Sequence, residues 1–212
     1  MTTTDRTVRV WGIVPAAGVG RRMGRSKQAL PYRDSTLTGT VVRTLLSSGV
    51  NGIVVVTRTS LLEALELPDD PRVEIALNDN DTSQMIDSVR IGLAGLGNEP
   101  PSSTDGILVV PADMPSLLAD TCRRCMDAYV RDPGRIIIAT CEARRGHPII
   151  FPFSMGSAVD RLDGGLNELP KQFPERVTLV EVDDPGTLVD VDTPADYDRL
   201  SVQRADNKTK PR

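Results

Sequence analysis

Short apolar runs alternate with amphipathic stretches along most of the chain. Residues 8–15 (VRVWGIVP) form an apolar, β-branched run that predicts a buried strand. Residues 53–56, 73–77, 107–110 and 136–140 repeat that pattern and predict strands two to five. Between them lie helical spacings. Leu37 to Gly49 ends on a glycine, and Leu61 to Leu67 is stopped by Pro68. Gln84 to Leu96 gathers Met85, Ile86, Val89, Leu93 and Leu96 near one face, and Leu118 to Val130 forms the next helix. Further short strands are expected at 149–151, 177–182 and 188–191, with a helix over 162–173. Thr193 and Pro194 open a final helix as its N-cap and first position. Residues 100–105 read as a polar loop. From about Ser201 the periodicity ends, so 201–212 is expected to be a polar, disordered tail on a domain spanning 1–200.

Strands that alternate with helices predict a single-domain α/β protein, a Rossmann-like three-layer α/β/α sandwich with a mostly parallel sheet. Ligands of such sheets sit beyond the carboxyl ends of the strands, so the loops after the first four strands matter most. The 212 residues suffice for a core without staples. The net charge of −4 argues against a nucleic-acid binder. No apolar run is long enough for a membrane span, and the polar N-terminus is no signal peptide. Three cysteines cannot all pair, and a reduced cytoplasmic setting is expected. The positive charge is local. Residues 1–36 carry seven Lys/Arg against two Asp, clustered around the glycine-rich loop. That arrangement suits a small polyanion.

Three stretches carry candidate chemistry. The loop Pro15-Ala16-Ala17-Gly18-Val19-Gly20-Arg21-Arg22-Met23-Gly24-Arg25-Ser26-Lys27 has small residues that let backbone N–H groups approach phosphates, with Arg22 and Lys27 supplying charge. It matches neither the Walker nor the GxGxxG pattern; alone, it also reads as a solvated βα connection. Asp113, at the end of strand four, is placed to hold a divalent metal or is a turn aspartate. Asp190 and Asp192 share a face of an expected strand and offer a second metal carboxylate. In the competing reading, Asp192 and Asp196 favour the positive helix start capped by Thr193.

Together these motifs resemble the nucleotidyltransferases of GT-A-like fold. Within them they resemble the molybdenum cofactor cytidylyltransferases and their guanylyltransferase cousins, the MocA-like and MobA-like NTP transferases. The first loop resembles that family's opening motif. Asp113-Met114-Pro115 stands for its D-x-P, Gly146-His147-Pro148 for its G-H-P, and Asp190 to Asp196 for its closing D-V-D-T-P-x-D. The likeness runs from about Val10 to Leu200. The methylerythritol phosphate cytidylyltransferases compete through Val14-Pro15, Asp87-Ser88-Val89 and Gly92-Leu93. Against them stand the five-residue spacing of Arg22 and Lys27, the D-M-P in place of D-A-A-R-P, and the G-H-P and closing motifs. The deazaflavin-pathway guanylyltransferases share only that closing motif. Ala17-Gly18 is similar to the cytidylyltransferases, where guanylyltransferases carry Gly-Gly.

The resemblance implies attack by a terminal phosphate of molybdopterin on the α-phosphorus of CTP, with GTP as the alternative nucleotide, releasing pyrophosphate. Arg22, Lys27 and Asp113 would be catalytic. Ala16, Ala17, Gly18, Gly20, Arg22, Lys27, Asn78 and Ser88 would line the nucleotide. Mg²⁺ would sit on Asp113 with Asp190 or Asp192. Arg145 and His147 would meet the acceptor, with Arg144 beside them. A molybdoenzyme or its maturation factor would receive the product. Two other classes stand beside this one: a non-catalytic cofactor-delivery module, which needs no metal carboxylates, and a sugar-1-phosphate nucleotidyltransferase, usually longer. Cys122-x-x-Cys125, with Cys141 and His147, is an incomplete zinc pattern and reads better as buried core.

Overall fold

A computed structural model describes residues 7–18, 26–96 and 101–200. Gly20, Arg22 and the 201–212 tail lie outside the described residues. The apolar runs become the strands β1 (Val10–Pro15), β4 (Gly52–Thr57), β5 (Val73–Leu77), β6 (Gly106–Val109) and β7 (Ile136–Cys141). With β8 (Arg144–Pro152) and β9 (Val177–Glu181) they form a seven-stranded sheet of order β5-β4-β1-β6-β8-β7-β9. β8 alone runs antiparallel to its two neighbours. The small hairpin β2 (Pro31–Tyr32) and β3 (Ser35–Thr36) stands apart from the sheet.

Helices cover both faces, which is why β4, β6 and β7 are buried along their whole length. On one face α1 (Leu37–Ser48) and α3 (Ala119–Arg131) insert Val41, Leu45, Cys122, Cys125 and Tyr129. On the other, α2 (Met85–Ala94), α4 (Gly156–Asp160) and α5 (Leu169–Gln172) insert Ile86, Val89, Val159 and Leu169. α1 stops at Gly49, whose φ of 93° is the left-handed cap that glycine adopts freely. Asp87 closes a capping box with Gln84 at the start of α2.

The chain turns from β1 to β4 on one side and from β6 toward β7 on the other. The loops after β1 and β6 therefore part at a topological switch point, the place where such sheets bind ligands. A third, small core sits there. Leu30, Tyr32 and Leu37 pack with Val191 and Leu200, and the Tyr197 hydroxyl donates to the Pro31 carbonyl at 2.6 Å. This cluster clamps residues 191–200 against the segment that follows the first loop.

Several boundaries depart from the sequence reading. The expected short strand at 149–151 is the second half of β8, which begins at Arg144 as the return of a hairpin from β7. Its two-residue turn has Glu142 and Ala143 at φ 52° and 59°, a geometry usually signalled by Asn or Gly, so the hairpin left no mark in the sequence. Residues 188–191 are not a strand: a 3₁₀ turn at Pro185–Leu188 leads into an extended segment without ladder partners. The helices expected at 61–67 and 162–173 are replaced by a 3₁₀ turn at Thr59–Ala64, and by a 3₁₀ turn at Leu166–Glu168 running into α5. The final helix does begin after Thr193. Its Oγ1 accepts from Asp196 N at 3.2 Å, while Asp196 Oδ2 accepts from Thr193 N at 2.8 Å.

Candidate active site

The β1 loop starts from a fixed base. The Ala16 N–H is taken by the Val56 carbonyl, which leaves that amide no role toward a ligand. Arg58 Nε donates to the Ala17 carbonyl at 2.9 Å and Gln28 Nε2 to the Gly18 carbonyl at 2.9 Å. With both carbonyls tied back, the N–H groups of Ala17 and Gly18 stay uncommitted among the described residues. Such amides suit an anion. Neither Gln28 nor Arg58 stood out in the sequence, because their partners are backbone atoms brought close only by folding.

The loop ends in a 3₁₀ turn, Lys27–Ala29. Lys27 Nζ lies 2.5 Å from Asp113 Oδ2 and 2.5 Å from Asp192 Oδ1. Burial works against its charge, but the two carboxylates outweigh this and hold its pKa above the ordinary lysine value. Asp113 follows β6, and its carbonyl accepts from Val191 N at 3.0 Å, which draws the 190–192 segment alongside. Asp113 Oδ1 is buried without a hydrogen-bond partner. The Asp190 carboxyl is raised by burial, then by the negative charges of Asp192 and Asp113. The structure thus unites Lys27, Asp113, Asp190 and Asp192 from opposite ends of the chain.

Two glycines and one aspartate permit this closeness. A side chain at Gly146 would strike the Thr187 carbonyl, and one at Gly186 the Ser116 carbonyl. Asp184, 3% exposed, accepts from Leu118 N at 3.0 Å, Thr121 Oγ1 at 2.7 Å and Gly186 N at 2.9 Å. It fastens the segment leading to Asp190 onto the start of α3. Its one local signal in the sequence is an Asp before Pro-Gly, a turn pattern that does not announce this role.

Beside the carboxylates opens a cavity of about 580 Å³. Met85, Met114, Ile149, Leu166 and Leu188 give it an apolar wall. Arg144, Arg145 and Lys171 line it with positive charge, and Asp113 and Asp190 line it with negative charge. His147 lines it too. Burial lowers the imidazole pKa against the opposing pull of the Val109 carbonyl and Asp113, and its Nδ1 is buried without a partner. Lys171 and Asn167, absent from the sequence reading, reach the cavity because the 166–172 turns fold over it.

Asn78 and Ser88 meet at the carboxyl end of β5. Asn78 Nδ2 donates to Ser83 Oγ at 2.8 Å and Ser88 Oγ at 3.1 Å, and both residues are buried. The amide donors are spent internally, so the pair braces the β5–α2 turn. The three cysteines are free and buried. Burial pushes the Cys125 thiol up to about 12 and Cys122 higher still, the state of inert core thiols. Among the described residues no group of three or more His, Cys, Asp or Glu is arranged around a metal position, and no helix is long and apolar enough to cross a membrane.

The family model described as MobA-like NTP transferase domain matches residues 12–177. Nicotine blue oxidoreductase of Paenarthrobacter nicotinovorans is 31% identical over 202 residues, covering 90% of this chain and 96% of that protein. Purine catabolism protein PucB of Bacillus subtilis is 29% identical over 200 residues, covering 89% and 94%. A 2-C-methyl-D-erythritol 4-phosphate cytidylyltransferase of Photobacterium profundum is 30% identical over 139 residues, covering 63% and 56%. Among solved structures, Rv0371c of Mycobacterium tuberculosis H37Rv superimposes with a TM-score of 0.75 at 26% identity, covering 92% of this chain and 98% of that one. Its complex with manganese gives 0.68 at the same identity and coverage.

Proposed function

The chain belongs to the MobA-like NTP transferase family and is a nucleotidyltransferase, and from that premise we propose that it transfers CMP from CTP to the terminal phosphate of molybdopterin. The observation that carries this reading is the Lys27–Asp113–Asp192 cluster at the switch point, opening into an apolar cavity with a basic rim. The apolar wall suits a flat heterocycle, and Arg144, Arg145 and Lys171 suit its phosphate. The G-H-P and D-V-D-T-P motifs favour molybdopterin over methylerythritol phosphate, and Ala17-Gly18 favours CTP over GTP.

An acceptor phosphate oxygen forms a bond to the α-phosphorus of CTP. The bond from that phosphorus to the bridging oxygen of pyrophosphate breaks, and the leaving group takes the electron pair. Catalysis of such a transfer is mostly positioning and charge neutralisation. The Ala17 and Gly18 amides hold phosphate oxygens. Lys27, and Arg22 by family resemblance, balance charge on the departing pyrophosphate. His147 adds an unpartnered ring nitrogen to the acceptor wall. The carboxylates fit a hard divalent cation: their donors are all oxygen, and Asp113 Oδ1 is buried without a partner. Asp113 with Asp190 or Asp192 would hold Mg²⁺. When bound, the cation neutralises triphosphate charge. The manganese complex of Rv0371c supports divalent-metal use. Handover of the product to a molybdoenzyme or its maturation factor, in the cytoplasm, completes the reading.

Pyrophosphate release tests it. Purified protein with Mg²⁺ receives CTP or GTP, against molybdenum cofactor or methylerythritol phosphate. Release is expected with CTP and the cofactor. Release with methylerythritol phosphate alone moves the protein to the isoprenoid branch, and release with GTP alone reverses the base preference. A second reading comes from the 31% identical relative named nicotine blue oxidoreductase: oxidoreduction of nicotine blue in the apolar cavity. Loss of nicotine blue absorbance with NADH or NADPH, and no pyrophosphate from any pair, favours that reading.

A further inference from the structure

Lys27 stands where the carboxylates would receive a cation. Its ammonium contacts Asp113 Oδ2 and Asp192 Oδ1, both at 2.5 Å, across 165 residues of sequence to the latter. The backbone beneath it is fastened. Thr38 Oγ1 donates to the Gln28 carbonyl at 3.0 Å, and the Gln28 side chain donates to the Gly18 carbonyl. The four-carbon side chain of Lys27 is itself flexible enough to change partners. The Ala17 and Gly18 amides, uncommitted among the described residues, lie at the other end of the same loop. A triphosphate on them would present the lysine with a second set of anionic oxygens.

Building on the nucleotidyltransferase reading, we propose that Lys27 is an internal counter-cation, which excludes a divalent ion from the free protein and yields its place when a nucleotide arrives. With the ammonium on Asp113 Oδ2 and Asp192 Oδ1, a divalent cation brought to the same carboxylates is repelled strongly, because the like charges lie close together. Incoming phosphates draw the lysine off the carboxylates, and the cation enters with the nucleotide. The free protein then never exposes bare, mutually repelling carboxylates. Binding becomes coupled, each of nucleotide and cation raising the other's affinity by one common factor.

The test is direct Mn²⁺ binding, read from the electron paramagnetic resonance signal of the free ion. It compares wild type with Lys27→Met and Lys27→Gln without nucleotide, each checked for fold by circular dichroism. Both variants are expected to bind Mn²⁺ about tenfold tighter or more, since a competing charge is gone. Lys27→Arg, which keeps the charge, should stay as weak as wild type. Adding CTP or GTP should tighten Mn²⁺ binding in wild type more than in Lys27→Met. Asp113→Asn on the Lys27→Met background should erase the gain, which ties it to these carboxylates. Equal Mn²⁺ affinity in wild type, Lys27→Met and Lys27→Gln, whether strong or undetectable, overturns the exchange. Pyrophosphate release by wild type is unaffected by that outcome, so the two ideas fail separately.

Discussion

At the amino ends of β1 and β6, Arg9 faces Asp105; at their carboxyl ends, Lys27 faces Asp113. The first pair is closed. Asp105 is fully buried and accepts from Arg9 N at 3.0 Å, Arg9 Nε at 3.2 Å and Ser102 N at 2.9 Å. Burial alone would raise its pKa, but the donors from Arg9 and Ser102 more than offset this and hold it below the ordinary value. The second pair is open. Asp113 keeps an orphaned buried oxygen, and the negative charges of Asp192 and Asp113 bear on Asp190. Saturated charge holds two strands in place. Unsaturated charge, held by the same strands, is a site waiting for other ions.

Removing one carboxylate from each end should split activity from stability. Asp113→Ala is expected to lower turnover by about 10²–10³-fold. Its unfolding free energy should move by about 1 kcal/mol or less, since Lys27 keeps Asp192. Pyrophosphate release and urea unfolding measure the two. A stability loss matching the activity loss would erase the contrast.

Asp105→Ala should do the reverse, losing about 3 kcal/mol of stability because the Arg9 and Ser102 N–H groups lose their buried acceptor, while turnover of the folded protein is unchanged. The pH dependence follows from the lowered pKa. The folded state binds fewer protons than the unfolded one near the usual carboxylate value of about 3.9. The Asp105 contribution is complete above that pH and lost as pH falls through the folded value. Urea unfolding should show the gap between wild type and Asp105→Ala closing below about pH 4.

The smallest effect has the opposite sign. The Asp190 pKa is raised, so its contribution to stability is present below the ordinary carboxylate value and lost as pH rises through the folded one. Ionised Asp190 therefore strains the free protein at neutral pH. Asp190→Asn should raise stability by about 0.5 kcal/mol at pH 7 in the presence of a chelator, with the gain fading in acid. The gain is small because water reaches this carboxylate and screens the repulsion. Thermal melting at both pH values reads it, and a lower melting temperature for the variant would mean the cluster is not electrostatically strained.

The apolar runs of β1, β4, β6 and β7 were legible because a strand buried on both faces must be apolar throughout. The loop and its lysine, the aspartate after β6 and the capped Asp-Thr-Pro helix start were legible too, since each is a local signal. The β7–β8 hairpin was not, as Glu142 and Ala143 adopt a turn their residue types do not announce. Nor was the role of Asp184, whose partners Leu118 and Thr121 lie more than sixty residues away.

Sequence by itself determined the strand and helix pattern, the identity of the charged groups and the family of the chain, because these depend on residue type and short-range spacing. Tertiary structure decided which charges meet. The 165-position separation of Lys27 and Asp192 is bridged by the small core of Leu30, Tyr32, Leu37, Val191 and Leu200 and by the Val191–Asp113 backbone bond. Burial then sets what those charges can do, because an ion pair gains its strength, and an unpaired carboxylate its strain, only where neighbouring chain excludes water.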